Sequence, residues 1–256
     1  MSIAYNTLRP GPHYRREAFD TGLAAAGYDV KNTPPGPCKR GDVLCIWNRY
    51  GTDHDLAKHF EAGGGKVLVA ENGYIGRDGS GMQLYALARG GHNGSGTWPE
   101  GGPERWTALG VPVAPWRARG AHILLCPNRT FGMPGLAMPA EWLGEVRRKL
   151  QKMTKREVRY RPHPMNHAPK PLDPDLSNCH VVIIWASSIG VHALVAGVPV
   201  IAASPYWICK AASGRLEDIE NPPIPDRLPV LERLAHAQWT LAEIASGEPF
   251  RRLLAV

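Results

Sequence analysis

The sequence lacks the cysteine pairs, the long apolar runs and the N-terminal leader pattern that define three common classes of protein. Its five cysteines are odd in number and widely spaced, and no CxxC pair occurs among them. This excludes the usual zinc-binding and disulfide-framework patterns. No stretch approaches the roughly 20 apolar residues that cross a bilayer. The opening segment MSIAYNTLRPG has neither a basic nor an apolar region, so it does not resemble a secretory signal. We therefore expect a protein of a reducing cytoplasm.

Length and composition indicate a globular protein with one large domain or two compact ones. The chain has 256 residues, of which 43% are hydrophobic, and this fraction is ordinary for a protein with a packed core. Domains of about 100–150 residues are common, so a chain of this length accommodates two. The 28 glycines and 24 prolines predict many turns.

Positive charge is the main bias of the composition, and it is unevenly distributed. The net charge is +7, and arginines and lysines are concentrated between Arg147 and Lys170, where Glu157 is the one acid. One interpretation is a surface for a polyanion, either nucleic acid or an acidic glycan. The other is a solvated helix face that keeps the protein soluble. The sequence leaves both open.

Short apolar runs alternate with helical patterns along most of the chain. Continuous apolar strands separated by helices are typical of parallel sheets covered on both faces. The sequence therefore predicts an α/β fold in two consecutive halves that join near 117–121. The predicted strands are 3–6, 43–47, 67–70, 122–126, 157–161, 181–185 and 198–202, and the predicted helices are 14–26, 55–62, 139–151, 190–196 and 228–246.

Residues 72–120 break this alternation. Gly, Trp, Asn, Pro and Arg dominate the segment, and the pattern predicts a long loop, which in a compact chain is usually functional or disordered. Its aromatic residues argue against disorder. The tryptophans interleave with arginines, as in surfaces that stack a flipped base or a single strand. A small core that holds the loop down explains them equally well.

Two polar turns follow strands of the second half, and together they predict a phosphate-binding site. The first turn reads RPHP and the second reads WASSIG, followed by a helix. Open α/β sheets bind ligands at the carboxyl ends of their strands, and hydroxyls and N–H groups at a helix N-terminus bind phosphate. Taken singly, each turn is also explained by a structural proline or a capping serine. The predicted members are Arg161, His163, Pro164, Ser187, Ser188 and Gly190.

The stretch RPHP…WASSIGVHALVAGVPVI resembles the donor-binding half of GT-B glycosyltransferases, especially the capsule-polysaccharide and sialyltransferase-like branches with their His-Pro and Ser-Ser motifs. The resemblance covers residues 121–205 well and the N-terminal half only in outline. It implies two Rossmann-like domains facing a cleft, an acceptor-binding domain over 1–120 and a nucleotide-sugar-binding domain over 121–256. It also implies no essential metal and no cofactor beyond the donor, a UDP-sugar by preference or a CMP-sugar.

Within this resemblance His163, Ser187 and Ser188 contact the donor phosphate. Many GT-B enzymes have a Glu, used on ribose or sugar hydroxyls, where this chain has His192. We count His192 among the donor-binding residues.

Further candidates follow other predicted strands. In CPNRTFG, Asn128 and Arg129 face either donor diphosphate or an acceptor phosphate, or form a plain surface loop. Glu71 ends a buried strand, where burying a carboxylate costs free energy unless the carboxylate is paired or takes part in the reaction. An inverting transferase needs one base near the acceptor hydroxyl, and Glu71 is the first candidate, with Asp53 and His92 as rivals.

The chain is short and basic, and in this it resembles glycosyltransferases of tailed bacteriophages, some of which modify hydroxymethylated pyrimidines in DNA. That resemblance implies a DNA acceptor and action in the cytoplasm of a bacterial host. The expected nucleic-acid contacts are Trp98, Arg105, Arg117, Arg147 and Arg148. A saccharide or capsule-type glycan is the alternative acceptor. A nucleotide-sugar epimerase and a non-enzymatic nucleic-acid-binding protein are the alternatives from other classes.

Overall fold

The two halves of the sequence form two separate sheets in the computed structural model, which describes residues 1–164 and 170–255. The strands are β1 (Ile3–Asn6), β2 (Asp29–Lys31), β3 (Val43–Trp47), β4 (Lys66–Arg77), β5 (Gln83–Arg89), β6 (His122–Cys126), β7 (Glu157–Tyr160), β8 (Cys179–Ile184), β9 (Val200–Ala202) and β10 (Gln238–Trp239). The helices are α1 (Arg16–Ala25), α2 (Thr52–Ala62), α3 (Glu104–Leu109), α4 (Trp142–Met153), α5 (Asp173–Leu176), α6 (Ile189–Val195), α7 (Leu228–Ala235), α8 (Leu241–Ser246) and α9 (Glu248–Leu254).

The chain divides into two compact units. Unit 1 comprises Met1–Leu109 and the chain from Glu232 onward, and unit 2 comprises Gly110–Leu231. The domain boundary that the sequence predicts at residue 120 lies close to Leu109, where the N-terminal segment of unit 1 ends. The C-terminal residues differ from the expectation, because they pack in unit 1 rather than in unit 2.

Unit 1 is built on a six-stranded sheet with the order β10-β5-β4-β3-β1-β2. Strands β1 to β4 are parallel, as the apolar runs of β1, β3 and β4 predict, whereas β2 was not among the predicted strands. On one face, Leu44 and Ile46 of β3 pack with Val67 and Val69 of β4 and with Phe60 of α2. Burial of such side chains stabilises the sheet by about 1.5–3 kcal/mol for each large one. The carboxyl ends of β1 and β3 lie at one edge of the parallel part of the sheet, together with Ala70, where the parallel pairing of β4 with β3 ends.

The long loop expected over 72–120 is wrong in its first part. Strand β4 does not stop at Ala70 but continues to Arg77, and β5 returns beside it as an antiparallel partner. Asp78 closes the turn, since its carboxylate accepts hydrogen bonds from the N–H groups of Ser80 and Met82, each at 2.9 Å. The strands approach closely at Gly73, where a Cβ would lie 2.7 Å from the carbonyl oxygen of Leu84.

The single closing helix expected over 228–246 is also wrong. After α7, strand β10 pairs with β5, and Thr240 begins α8 with a reciprocal capping box to Glu243. The box favours a new helix start over continuation of α7. Helix α8 then packs on α1, where Gly22 permits the approach: a Cβ at this position would lie 1.8 Å from the carbonyl oxygen of Ile244. These contacts place the C-terminal segment in unit 1.

Unit 2 contains a four-stranded sheet with the order β7-β6-β8-β9, and all of its pairings are parallel. This confirms the parallel sheet that the apolar runs predict. Every residue of β6 and β8 is buried, since both faces of these central strands are covered. Helix α4 covers one face with Trp142, Val146 and Leu150.

All five cysteines are free thiols, as their spacing predicts. Burial raises the pKa of the Cys126 thiol to about 12 and that of Cys179 to about 11. None of the helices in the described part of the chain is long and apolar enough to cross a membrane.

Arg105 and Trp98, expected at a nucleic-acid surface, instead hold unit 1 together. The Arg105 guanidinium pairs with Glu243 at 2.6 Å, donates to the carbonyl of Gln238 at 2.7 Å, and stacks 4.2 Å above the ring of Trp239. Trp98 is buried and donates from its indole to the carbonyl of Arg233 at 3.0 Å. The small-core explanation therefore accounts for both residues.

We expect Arg105→Ala to lower the free energy of unfolding by about 2 kcal/mol, below the range of about 3–5 kcal/mol for breaking a fully buried ion pair, because this pair is only partly buried. The reason is that Glu243 and two carbonyl groups lose their donor. Burial acts to raise the pKa of Glu243, but hydrogen bonds from Arg105 and Thr240 hold it below its ordinary value. The pair therefore stabilises the fold above the ordinary Glu pKa, and this stabilisation is lost as the pH falls through the depressed pKa.

Urea denaturation at pH 7 and pH 4 measures this effect. The control is Arg148→Ala, an exposed arginine on α4, which we expect to change stability by less than about 0.5 kcal/mol. An Arg105→Ala protein that unfolds at the same urea concentration as the unmodified protein would contradict the assignment.

Candidate functional site

The donor-site candidates of unit 2 follow neighbouring parallel strands. Asn128 follows β6, His163 follows β7, and Ser187 follows β8, so all three lie beyond the same edge of the sheet. The Asn128 side-chain oxygen accepts a hydrogen bond of 3.1 Å from the N–H of Ala186, which ties the β6 turn to the β8 turn. The turns after β7 and β8, which the sequence pairs, lie at the same edge of the sheet, on either side of the turn after β6, and open α/β sheets bind ligands at this edge.

His163 and Arg129 are close enough to influence each other electrostatically. Loss of solvation lowers the pKa of His163, and the positive charge of Arg129 lowers it further. Arg129 is exposed, and its guanidinium lies 4.5 Å above the ring of Phe131. The pair offers an N–H donor and a full positive charge to an anion.

The Ser-Ser turn is shaped by its own hydrogen bonds. The Ser187 hydroxyl accepts from the N–H of Ile189 at 3.2 Å, and the indole of Trp207 donates to the Ser187 carbonyl at 3.1 Å. Ser188 is exposed. Gly190 is buried, and a Cβ there would lie 2.5 Å from both Ile184 and Trp207. Gly190 therefore permits close packing behind the turn, a role that the sequence does not reveal.

The remaining donor-site candidates are Arg161, His192 and Pro164. Arg161 forms an ion pair with Asp175 and donates to the carbonyl of Pro171 at 3.1 Å, so its guanidinium is engaged within unit 2. His192 lies on α6 and retains solvent exposure. Even so, loss of solvation lowers its pKa, against the opposing effect of Asp173. Pro164 is half-buried beside His163.

The chain contains two Asp-x-Asp sequences, at 53–55 and 173–175. Each lies in the first turn of a helix, α2 and α5, where negative charge is favoured by the helix dipole. Residues 1–164 and 170–255 contain no group of three or more His, Cys, Asp and Glu side chains placed to hold a metal ion.

Two rival candidates for the base, Glu71 and His92, line one cavity in unit 1 that is too small to hold a water molecule. The Glu71 carboxylate accepts hydrogen bonds from the Tyr74 hydroxyl and from the backbone N–H of Asn93, the latter at 2.9 Å. Trp98 lines the same cavity. Hydrogen bonds to a carboxylate fix its orientation, so Glu71 is held in place rather than free in solvent.

Asp53 lies apart from that cavity, in the first turn of α2. Desolvation raises its pKa, and Arg9 acts in the opposite direction. It follows β3, the neighbour of β4, so Asp53 and Glu71 both follow carboxyl ends of the parallel part of the sheet.

An aromatic platform near the same edge is missed by the sequence analysis. The rings of His13, Tyr14 and Trp47 lie with centroids 4.8 to 5.2 Å apart in edge-to-face geometry. Tyr85 extends the platform and donates from its hydroxyl to the His13 carbonyl at 3.0 Å. One signal was available: the segment TLRPGPHYR follows β1, and such loops carry ligand contacts in α/β folds.

The basic surface candidates separate into two kinds. Arg147 and Arg148 are exposed on α4, so their charge is accessible to solvent. Arg117 donates to the carbonyl of Cys179 at 3.0 Å and to that of Leu176, so it has an internal role in unit 2.

Comparison with known proteins shows the fold. No protein-family model matches the chain, and no curated protein sequence matches it. The beta Kdo 2,7 transferase structure of Thermosulfurimonas dismutans KpsC is similar over 99% of both chains, with a TM-score of 0.61 and 13% identity. The beta Kdo 2,4 transferase structure of the same KpsC is similar over 93% of this chain and 90% of that one, with a TM-score of 0.56 and 16% identity. This chain therefore has a mixed α/β, Rossmann-like fold that it shares with these two structures.

Proposed function

We propose that this protein is a glycosyltransferase of the GT-B type, which moves a sugar from a nucleotide donor to a hydroxyl of a saccharide without an essential metal. The observation that carries the proposal is the likeness to a Kdo transferase over the full length of both chains. It is supported by a cationic and hydrogen-bonding cluster at the ligand-binding edge of unit 2. In this proposal, unit 2 binds the donor and unit 1 binds the acceptor.

In the proposed reaction, the role of unit 2 is to stabilise the departing nucleotide phosphate. As the bond between the sugar and the phosphate oxygen breaks, negative charge grows on that phosphate. Arg129 supplies a positive charge, and His163 and Ser188 supply hydrogen-bond donors. Donors that are already oriented stabilise such charge more than water does. Arg161 acts indirectly, since its ion pair with Asp175 fixes the segment that precedes His163.

In the proposed reaction, the role of unit 1 is to bind the acceptor and to activate its hydroxyl. In an inverting reaction, Glu71 takes the proton of the acceptor hydroxyl while the oxygen of that hydroxyl bonds to the sugar carbon. The hydrogen bonds from Tyr74 and Asn93 orient the carboxylate for this step. The platform of His13, Tyr14 and Trp47 offers aromatic faces to the apolar side of a sugar ring.

A saccharide acceptor is better supported than DNA. Both similar structures are Kdo transferases of a KpsC protein, and nothing in the comparisons points to a DNA acceptor. Two residues expected to contact DNA, Arg105 and Trp98, are instead engaged inside unit 1. The exposed arginines on α4 suit an acidic glycan as well as they suit a nucleic acid.

A donor and acceptor panel tests the proposal. UDP- and CMP-activated sugars, Kdo among them, are incubated with oligosaccharides and with duplex DNA containing 5-hydroxymethylcytosine, and products are read by mass spectrometry. We expect an oligosaccharide to gain the mass of one sugar. Modification of the DNA alone would overturn the saccharide acceptor, and failure to consume any donor would overturn the transferase assignment.

A further inference from the structure

A second cavity lies at the other edge of the unit 2 sheet, away from His163 and Ser187. Its lining includes Arg119 just before β6, Arg156 just before β7, His180 near the start of β8, and Pro199 just before β9. These are the amino ends of four parallel strands. The cavity volume is about 390 Å³, within the range of about 300–1,000 Å³ for small-molecule sites.

Positive charge dominates this cavity. Arg117 and Arg119 line it together with Arg156, whereas Glu220 is its one acid. Glu220 pairs with Arg156 at 3.2 Å. Arg117 donates to carbonyl groups, which orient the guanidinium but leave its charge uncompensated. Arg119 is exposed and makes no hydrogen bond or ion pair with any residue that the structure describes.

His180 adds a buried polar atom without a partner. The residue is 4% exposed, and its Nε2 lies 3.1 Å from the carbonyl oxygen of Ile219. Its Nδ1 is buried and has no hydrogen-bond partner among the described residues. Buried polar atoms are nearly always hydrogen-bonded, so an unpartnered one in a residue that lines a cavity indicates a missing ligand or water.

The protonation state of His180 determines which kind of group can form a hydrogen bond with its Nδ1. Loss of solvation, and then the charge of Arg156, lower the pKa of His180, while the carbonyls of Ile219 and Glu220 act in the opposite direction. The ring is therefore neutral at pH 7. With Nε2–H donating to the Ile219 carbonyl, Nδ1 carries a lone pair, and a hydroxyl group is the complementary donor.

We propose that this cavity binds a hydroxylated anion of the size of one sugar unit, a sugar acid or a sugar phosphate. Its anionic group pairs with the guanidinium groups of Arg119 and Arg117, and one of its hydroxyls donates to Nδ1 of His180. The site lies at the edge opposite the proposed donor site. It does not rest on the proposed transferase activity, because binding here requires neither a nucleotide sugar nor turnover.

Ligand titration of the full chain tests the proposal, by calorimetry and saturation-transfer NMR, with glucuronate, glucose 6-phosphate, inorganic phosphate and glucose. We expect at least one of the two anionic sugars to bind about tenfold more tightly than phosphate and glucose, since charge and hydroxyl are both recognised. The two anionic sugars distinguish a sugar acid from a sugar phosphate. Equal binding of glucose, equal binding of phosphate, or no binding would overturn the proposal.

Variants locate the bound sugar. Arg119→Ala should weaken binding about tenfold, whereas Lys149→Ala, which removes one exposed positive charge from α4 outside the cavity, should leave it unchanged. Arg119 makes no described contact, so its loss should not disturb folding, and circular dichroism checks this. His163→Ala should also leave binding unchanged. If His163→Ala abolishes binding while Arg119→Ala does not, the sugar occupies the opposite edge and the proposal is wrong.

Discussion

Glu71→Gln is expected to reduce the transfer rate by about 10²–10⁴-fold, the usual contribution of a general base. The substitution keeps the size of the side chain and its ability to accept hydrogen bonds from Tyr74 and the Asn93 N–H. What it removes is the capacity to take a proton from the acceptor hydroxyl. The fold and donor binding should therefore remain while kcat falls.

Initial rates at saturating donor and acceptor, with thermal unfolding as a check on folding, measure this effect. Glu17→Gln is the matched control, because Glu17 is an exposed carboxylate in the first turn of α1 and should leave kcat unchanged. A Glu71→Gln protein that retains activity within about tenfold of the unmodified protein would exclude Glu71 as the base, since this loss is below the usual range.

His163→Ala is expected to lower kcat by about 10²–10³-fold, the cost of removing one oriented donor from a site where negative charge develops. The loss arises because the departing phosphate keeps only Arg129 and Ser188. His163→Asn restores an N–H donor near the same position and should recover part of the rate. His59→Ala, which alters an exposed histidine on α2, serves as the control. Equal rates for His163→Ala and His59→Ala would remove His163 from the site.

The titration of His163 gives an independent check that needs no substrate. Desolvation and Arg129 lower its pKa, so NMR of the imidazole should show a midpoint below the ordinary value of about 6.5. Arg129→Ala removes the repelling charge and should raise the midpoint, although desolvation keeps it from rising fully. A midpoint that does not move in Arg129→Ala would show that the two side chains do not interact.

The central parallel strands of both units were predictable because each is a short apolar run, the pattern of a strand that is buried on both faces of its sheet. VLCIW at β3 and HILLC at β6 carry this signal in full. The donor-site turns were predictable for the same reason. Once β6, β7 and β8 are recognised as parallel strands, the residues that follow them must share one edge of the sheet.

The pairing of β10 with β5 was not predictable, because the two strands lie far apart in the sequence. β10 pairs with β5, about 150 residues earlier in the chain. The run 228–246 has a continuous helical pattern, which is interrupted by the burial of β10 beside β5 and by the capping box at Thr240. Arg105 likewise meets Glu243 and Gln238, and nothing near Arg105 in the sequence signals that partnership.

By itself, the sequence determined the α/β class, the strands at the centre of each sheet, and the turns that carry His163 and Ser187. It could do so because apolar periodicity and turn-forming residues are properties of neighbouring positions in the chain. Only the tertiary structure decided which polar residues are free to meet a ligand. Arg105 and Trp98 are held inside unit 1, whereas Arg119 is exposed without a described partner and His180 keeps one ring nitrogen unsatisfied. The physical reason is that a side chain's hydrogen bonds and charge partners come from residues distant in the sequence, and their distances are fixed only when the chain is folded.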